Sequence, residues 1–242
     1  MNRPRFFQLR FAHFHLLTAC LLALLWCGGV SLSAEDLSKS NAPALVPLKL
    51  NLPAPVFAGT PKDAPRGLDM EPTPDKPPAP LMVPADVRNI APGKKITCSD
   101  KGISAAMLAR LTDGNKQADE DAIAMLRKGL QWVQFDLGAP QEIFAVVFWH
   151  AHDIPKVYRS VIVQVADDAD FTANVRTLYN NDRDNSAGLG AGTDRQYFET
   201  YMGKIVDAKG ARARYVRLYS HGSTDSALNE YTEVEIYGRP AH

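Results

Sequence analysis

Two histidines spaced by one residue, in Trp149-His150-Ala151-His152-Asp153, end the continuously apolar stretch Ile143 to Trp149. In extended backbone, residues i and i+2 point to the same face, so this pair offers two imidazoles to one metal ion or one ligand. A catalytic transition-metal site needs a third protein ligand, for which His221 and Glu230 can be named; otherwise the histidines donate hydrogen bonds to a ligand or simply belong to a polar loop. Asn180-Asn181-Asp182-Arg183-Asp184-Asn185-Ser186-Ala187-Gly188-Leu189-Gly190 is dense in short polar side chains and glycine. Such residues suit turns, and they suit hydroxyl-rich ligands because they offer paired donors and acceptors. The expected ligand-binding residues are His150, His152, Arg159 and Asn185, on loops beside strongly apolar strands. Leu111-Thr112-Asp113-Gly114-Asn115 offers an acid, an amide oxygen and a glycine that lets the backbone curl, which are means of holding calcium. Nucleophilic catalysis has no context: Ser186 and Ser220 lie outside any G-x-S-x-G turn, and Cys98 sits in a strand-like stretch. The enzyme reading that remains is metal-assisted hydrolysis at His150 and His152.

These residues need elements to hold them. From Ile96 onward, short apolar runs alternate with Gly, Asp and Asn clusters, the pattern of an all-β sandwich. Trp132 to Leu137 alternates, with Val133, Phe135 and Leu137 on one face, before a Gly138-Ala139-Pro140 turn. Ile143 to Trp149 is apolar throughout, as a strand buried on both faces should be. Val161, Val163 and Val165 share a face, and Tyr197 to Tyr201, Tyr215 to Tyr219 and Thr232 to Tyr237 continue the series of strands. Asp119 to Lys128 reads by propensity as a helix capped by Asp119 and stopped at Gly129.

Met1 to Arg10 carries three arginines and no acid, and an apolar run of about eleven residues, Leu16 to Trp26, precedes the small residues around Ala34. This is the pattern of a secretory signal peptide, residues 1–34, and the run falls short of the roughly twenty residues of a permanent span. Leu17-Thr18-Ala19-Cys20 also resembles a bacterial lipobox. Export places the mature chain in the periplasm, at the cell surface or outside the cell. It leaves Cys98 alone, so no intrachain disulfide is expected. Removing the leader takes three basic residues, leaving 24 against 27 acidic ones. That balance argues against nucleic acid, whose phosphates call for clustered positive charge. Residues 35–85 hold most of the prolines that lie between Glu35 and Gly93, 13 of the chain's 17. Proline fixes φ and removes donors, so this segment is expected to be an extended linker or stem. Leu45, Val46, Leu48, Leu50, Leu52, Val56 and Phe57 make a docked arm the alternative.

Asn89-Ile90-Ala91-Pro92-Gly93-Lys94, Leu111 to Asn115, Trp132-Val133-Gln134-Phe135-Asp136-Leu137-Gly138, Arg214-Tyr215-Val216-Arg217-Leu218 and Glu233-Val234-Glu235-Ile236-Tyr237-Gly238 occur in this order. In that order they resemble discoidin-like, coagulation factor 5/8 type C domains, over about residues 86 to 240. The resemblance implies an eight-stranded antiparallel jelly-roll β-sandwich of the galactose-binding-like kind over 86–242, with family-32 carbohydrate-binding modules among its bacterial members. It implies an extended Asp119 to Lys128, and a structural calcium ion held by Asp113 and Glu233, with Asn115 and the carbonyls of Arg110 and Thr232 as companions. The expected function is non-catalytic binding of a glycan or cell-surface polysaccharide; the alternative is an interaction or scaffolding module for another exported protein. Tyr158, Tyr231 and Trp149 are candidates for the aromatic platform of a sugar site. No loop shows the paired apolar spikes by which some relatives bind phospholipid, so membrane binding is not expected.

Overall fold

A computed structural model describes residues 43–241, apart from 58, 60, 63–68 and 74. Residues 1–34, expected to be a signal peptide, with Cys20 and Cys27, lie outside the described residues. Two short strands come first, β1 (Leu45–Pro47) and β2 (Met82–Pro84), which pair with each other. The body follows: β3 (Arg88–Asn89), β4 (Lys95–Cys98), a short helix α1 (Ala105–Ala109) with a 3-10 turn, β5 (Ala124–Leu126), β6 (Gln131–His150), β7 (Ile162–Ala166), β8 (Arg176–Asn180), β9 (Lys204–Ser220) and β10 (Asn229–Pro240).

These eight strands form an antiparallel sandwich because β6 and β9 are long enough to serve in both layers. The first half of β6 lies between β4 and the second half of β9, which continues to β7 and β8. The second half of β6 lies between the first half of β9 and β10, whose ends also receive β3 and β5. The corner falls where the register jumps from Asp136 opposite Tyr215 to Gln141 opposite Ala213. Gly138 there adopts φ 87°, a conformation that residues with a Cβ rarely adopt. Arg214 closes the corner with two bonds to Asp136, 2.7 and 2.9 Å, and this pairing holds the Asp136 carboxyl down at about 2.

Alternation decides the core. Val133, Phe135 and Leu137 from one layer meet Val146, Phe148, Val234 and Ile236 from the other. Asp119 to Lys128 is extended through β5, as the resemblance implied and propensity did not. Asp119 caps only a turn, accepting from the N–H of Ala122 at 2.9 Å. Tyr197 to Tyr201 is not a strand; the residue before it, Gln196, makes an isolated bridge to Met70. Cys98 ends β4, with its thiol donating to the Asp100 carbonyl and raised by burial. Arg217, on the central strand β9 rather than at a sheet edge, lies between Trp132 and Phe171 and binds Gln134.

Part of the proline-rich segment packs on this body. Leu48 and Val83 are buried with Ala145, Val147, Trp149 and Tyr237, on the outer face of the second layer, joined by Leu50, Leu52, Leu81 and Val87. Continuous apolarity in the second half of β6 has its cause here, since one face meets the sandwich core and the other meets the arm. Further along, Asp69 and Glu71 exchange backbone bonds with Gln196, at 3.0 and 2.7 Å, and Asp69 pairs with Arg183 and Arg195.

Candidate functional site: a polar groove at one end of the sandwich

The start of β6, the start of β7, the end of β8 and the end of β9 meet at one end, because Gln131 pairs with Ser220 and Ile162 pairs with both Tyr219 and Asn180. The loops leaving these strands enclose a groove of about 560 Å³ lined by Arg159, Ser160, Asn181, Asp182, Arg183 and His221, among others. Reciprocal backbone bonds seat two of them: Arg159 N–H donates to the Gly222 carbonyl at 2.9 Å, and His221 N–H donates to the Arg159 carbonyl at 2.8 Å.

Asp182 organises the opposite wall. Its carboxylate accepts from the hydroxyls of Ser160 and Ser186, at 3.2 and 2.8 Å, and from the N–H of Ala187 at 2.8 Å. Burial alone would raise this carboxyl, but the Ala187 and Ser186 donors outweigh it and hold it below the usual range. Asn181 uses its side-chain oxygen to accept from Val161 N–H at 2.7 Å, which leaves its Nδ2 without a partner among the described residues. Serine hydroxyls, an arginine and an imidazole lining one groove can bind hydroxyl groups.

The expected ligand residues divide. Arg159 lines the groove. Asn185 does not: it is exposed, adopts φ 57°, and shapes the loop by accepting from Gly190 N–H at 2.7 Å. His150 and His152 are completely buried, which corrects their expected place at the rim. Val146, Phe148 and His150 are alternate residues of one strand, so His150 takes the next interior position. Its ring stacks on Tyr158 at 4.1 Å and lies 4.3 Å from Tyr231, while Nδ1 meets the Glu199 carboxylate at 2.8 Å. His152 meets the Lys116 carbonyl through Nε2 at 2.9 Å. Glu230 is engaged by Tyr158 and Lys156, so it completes no metal set with the histidines. Among the described residues, no group of three or more His, Cys, Asp or Glu is arranged to hold a metal. The aromatic candidates Tyr158, Tyr231 and Trp149 are likewise buried, the last donating its indole N–H to the Tyr201 carbonyl at 2.9 Å.

The groove residues Asn181, Asp182, Arg183, Asp184 and Ser186 belong to the segment that composition singles out as suited to hydroxyl-rich ligands. Gln196 and Asp69 carry no such signal, since only tertiary pairing brings them to the groove.

At the calcium candidate, Glu233 is 1% exposed and accepts from the N–H of Gly114 at 3.0 Å. Burial pushes its carboxyl up to about 8, against the Gly114 N–H and Lys116, which lower it; Asp113 is near enough to raise it further. Asp113 and Asn115 each accept from a backbone N–H two residues on, which curls the loop. The Arg110 side chain turns away to the carbonyls of Glu120 and Ile123, leaving its backbone as the part relevant to an ion. Thr232 is buried at a register shift in β10, beside Glu233. A buried carboxylate beside Lys116, whose ammonium pairs with Glu235 at 2.8 Å, next to a second acid and an amide, offers oxygen donors of the kind calcium takes.

No family model matches the chain, and no curated protein matches it. Solved structures do. The chain is similar to the Clostridium perfringens protein CpGH89 in complex with its substrate GlcNAc-α-1,4-galactose, at 16% identity and a TM-score of 0.46, covering 63% of this chain and 15% of that one. It is similar to the module CpGH89CBM32-6 from the same organism, at 16% identity and a TM-score of 0.41, covering 62% and 99%. It is also similar to chitosan-binding module 1 of a chitosanase/glucanase from Paenibacillus sp. IK-5, at 22% identity and a TM-score of 0.44, again covering 62% and 99%. The chain thus spans a small part of the first protein's length and nearly all of the two modules.

Proposed function

We propose that this chain is an exported, non-catalytic glycan-binding module whose site is the polar groove at the β6–β9 end of the sandwich. The observation that carries this reading is the groove's lining. Ser160, Ser186 and His221 place hydroxyl and imidazole groups beside Arg159, and Asp182 is already engaged by Ser160, Ser186 and Ala187. Such a wall recognises hydroxyls by direct hydrogen bonds and offers no activated nucleophile. Export is inferred from the amino-terminal charge and apolar run. A glycan array probed with residues 43–242 tests the reading: selective retention of a set of related glycans is expected, and an empty array would overturn it. We infer a structural calcium ion as well, held by Asp113, Glu233 and Asn115 with the carbonyls of Arg110 and Thr232. Its part would be to take the place of the proton that burial favours on Glu233 and to tie the 3-10 turn to β10.

A further inference from the structure

A second basin of about 490 Å³, lined by Lys128, Gly129, Arg159, His221 and Ala227, shares Arg159 and His221 with the groove, and these two residues form the saddle between them. No carboxylate lines it, whereas Asp69, Asp182 and Asp184 line the groove on the other side of the same two residues. We propose that this basin is an anion subsite, and that the glycan is acidic, with a neutral sugar ring in the groove and a carboxylate or sulfate between Lys128 and Arg159. The inference rests on the glycan-binding reading and deepens it.

Three observations carry it. Lys128 and Arg159 are both exposed, and neither forms an ion pair among the described residues. The two cations are positioned by backbone rather than by an acid. Arg159 is fixed through Gly222 and His221, and the stretch carrying Lys128 is tied down by Asn229, whose Nδ2 donates to the carbonyls of Arg127 and Gly129 at 2.7 and 3.0 Å. Finally, Arg159 and His221 line both basins, so one ligand spanning the saddle meets hydroxyl-binding groups on one side and positive charge on the other. A guanidinium and an ammonium flanking one anion give charge-assisted bonds, about twice as strong as neutral ones.

The test measures residues 43–242 against matched disaccharides: each neutral hexose pair, its uronate counterpart and its sulfated counterpart. Acidic members should bind at least ten-fold more tightly than their neutral matches, and Lys128→Gln should remove most of that preference with an unchanged melting point. Whether uronate or sulfate gives the larger preference identifies the acid group. Equal binding of neutral and acidic members, or a preference that survives Lys128→Gln, would overturn the subsite while leaving glycan binding in place. If no member of any class binds, the glycan reading falls and the subsite with it.

Discussion

At the scale of single residues, burial assigns roles that residue type alone left open. His150 lies between two tyrosine rings with its Nδ1 on Glu199, and both partners are fully buried. Its truncation strands the Glu199 carboxylate in the interior. His150→Ala should therefore cost about 3–5 kcal/mol of stability, the range for breaking a buried pair from one side, while protein that remains folded keeps its groove affinity. Chemical denaturation alongside glycan titration separates the two effects, and a stable variant with lost binding would return His150 to the site. Glu233 makes the calcium reading testable in the same way. Calcium should raise the melting point of residues 43–242 relative to chelator, with about 2.7 kcal/mol expected at a hundred times the dissociation constant. Glu233→Gln should abolish that rise; a wild-type melting point indifferent to calcium would remove the ion.

At the scale of elements, the strands were legible wherever alternation or apolarity was strong. Val133, Phe135 and Leu137, the Val161 to Val165 triplet, and Val234 with Ile236 all face the core as their spacing requires. The inward turn of His150 was hidden because Ile143 to Trp149 is apolar on both faces, so no polar partner marks the period. The Tyr197 to Tyr201 stretch has alternating aromatics but spends them elsewhere: Tyr197 is buried beneath Lys204, and Glu199 goes to His150. Gly203 shows how closely these pieces fit. It sits at φ 67°, and a Cβ there would lie 2.5 Å from the Trp149 ring. Gly203→Ala combines backbone strain with overpacking, and a loss of about 2–4 kcal/mol is expected by thermal or urea unfolding. A change below about 0.5 kcal/mol, the scale of an indifferent surface substitution, would show that Trp149 has room to move.

At the scale of the whole molecule, part of the proline-rich segment, expected to be an extended linker, packs on the sandwich. Proline density marks it as a segment that builds no core of its own. Its leucines pack on the apolar outer face of β6 and β10; the continuous apolarity of Ile143 to Trp149 signals a second buried face, and tertiary structure shows that Leu48 and Val83 cover it. Residues 86–242 alone would expose Val147, Trp149 and Tyr237 where Leu48 and Val83 now cover them. That fragment should bind an apolar dye such as 1-anilinonaphthalene-8-sulfonate and melt below residues 43–242. Equal dye binding and equal melting points would mean that the arm contributes nothing to stability.

The groove draws on four strand ends and on the strap at Asp69, and composition could indicate only its polar loop. Its use as a glycan site is measured most directly by calorimetric titration of residues 43–242 with a glycan retained on the array, comparing wild type with Arg159→Ala. The variant should bind at least ten-fold more weakly with the same melting point, since the Arg159 side chain is exposed and its backbone bonds remain. Unchanged affinity in a folded Arg159→Ala protein would contradict the assignment and place the glycan elsewhere on the molecule.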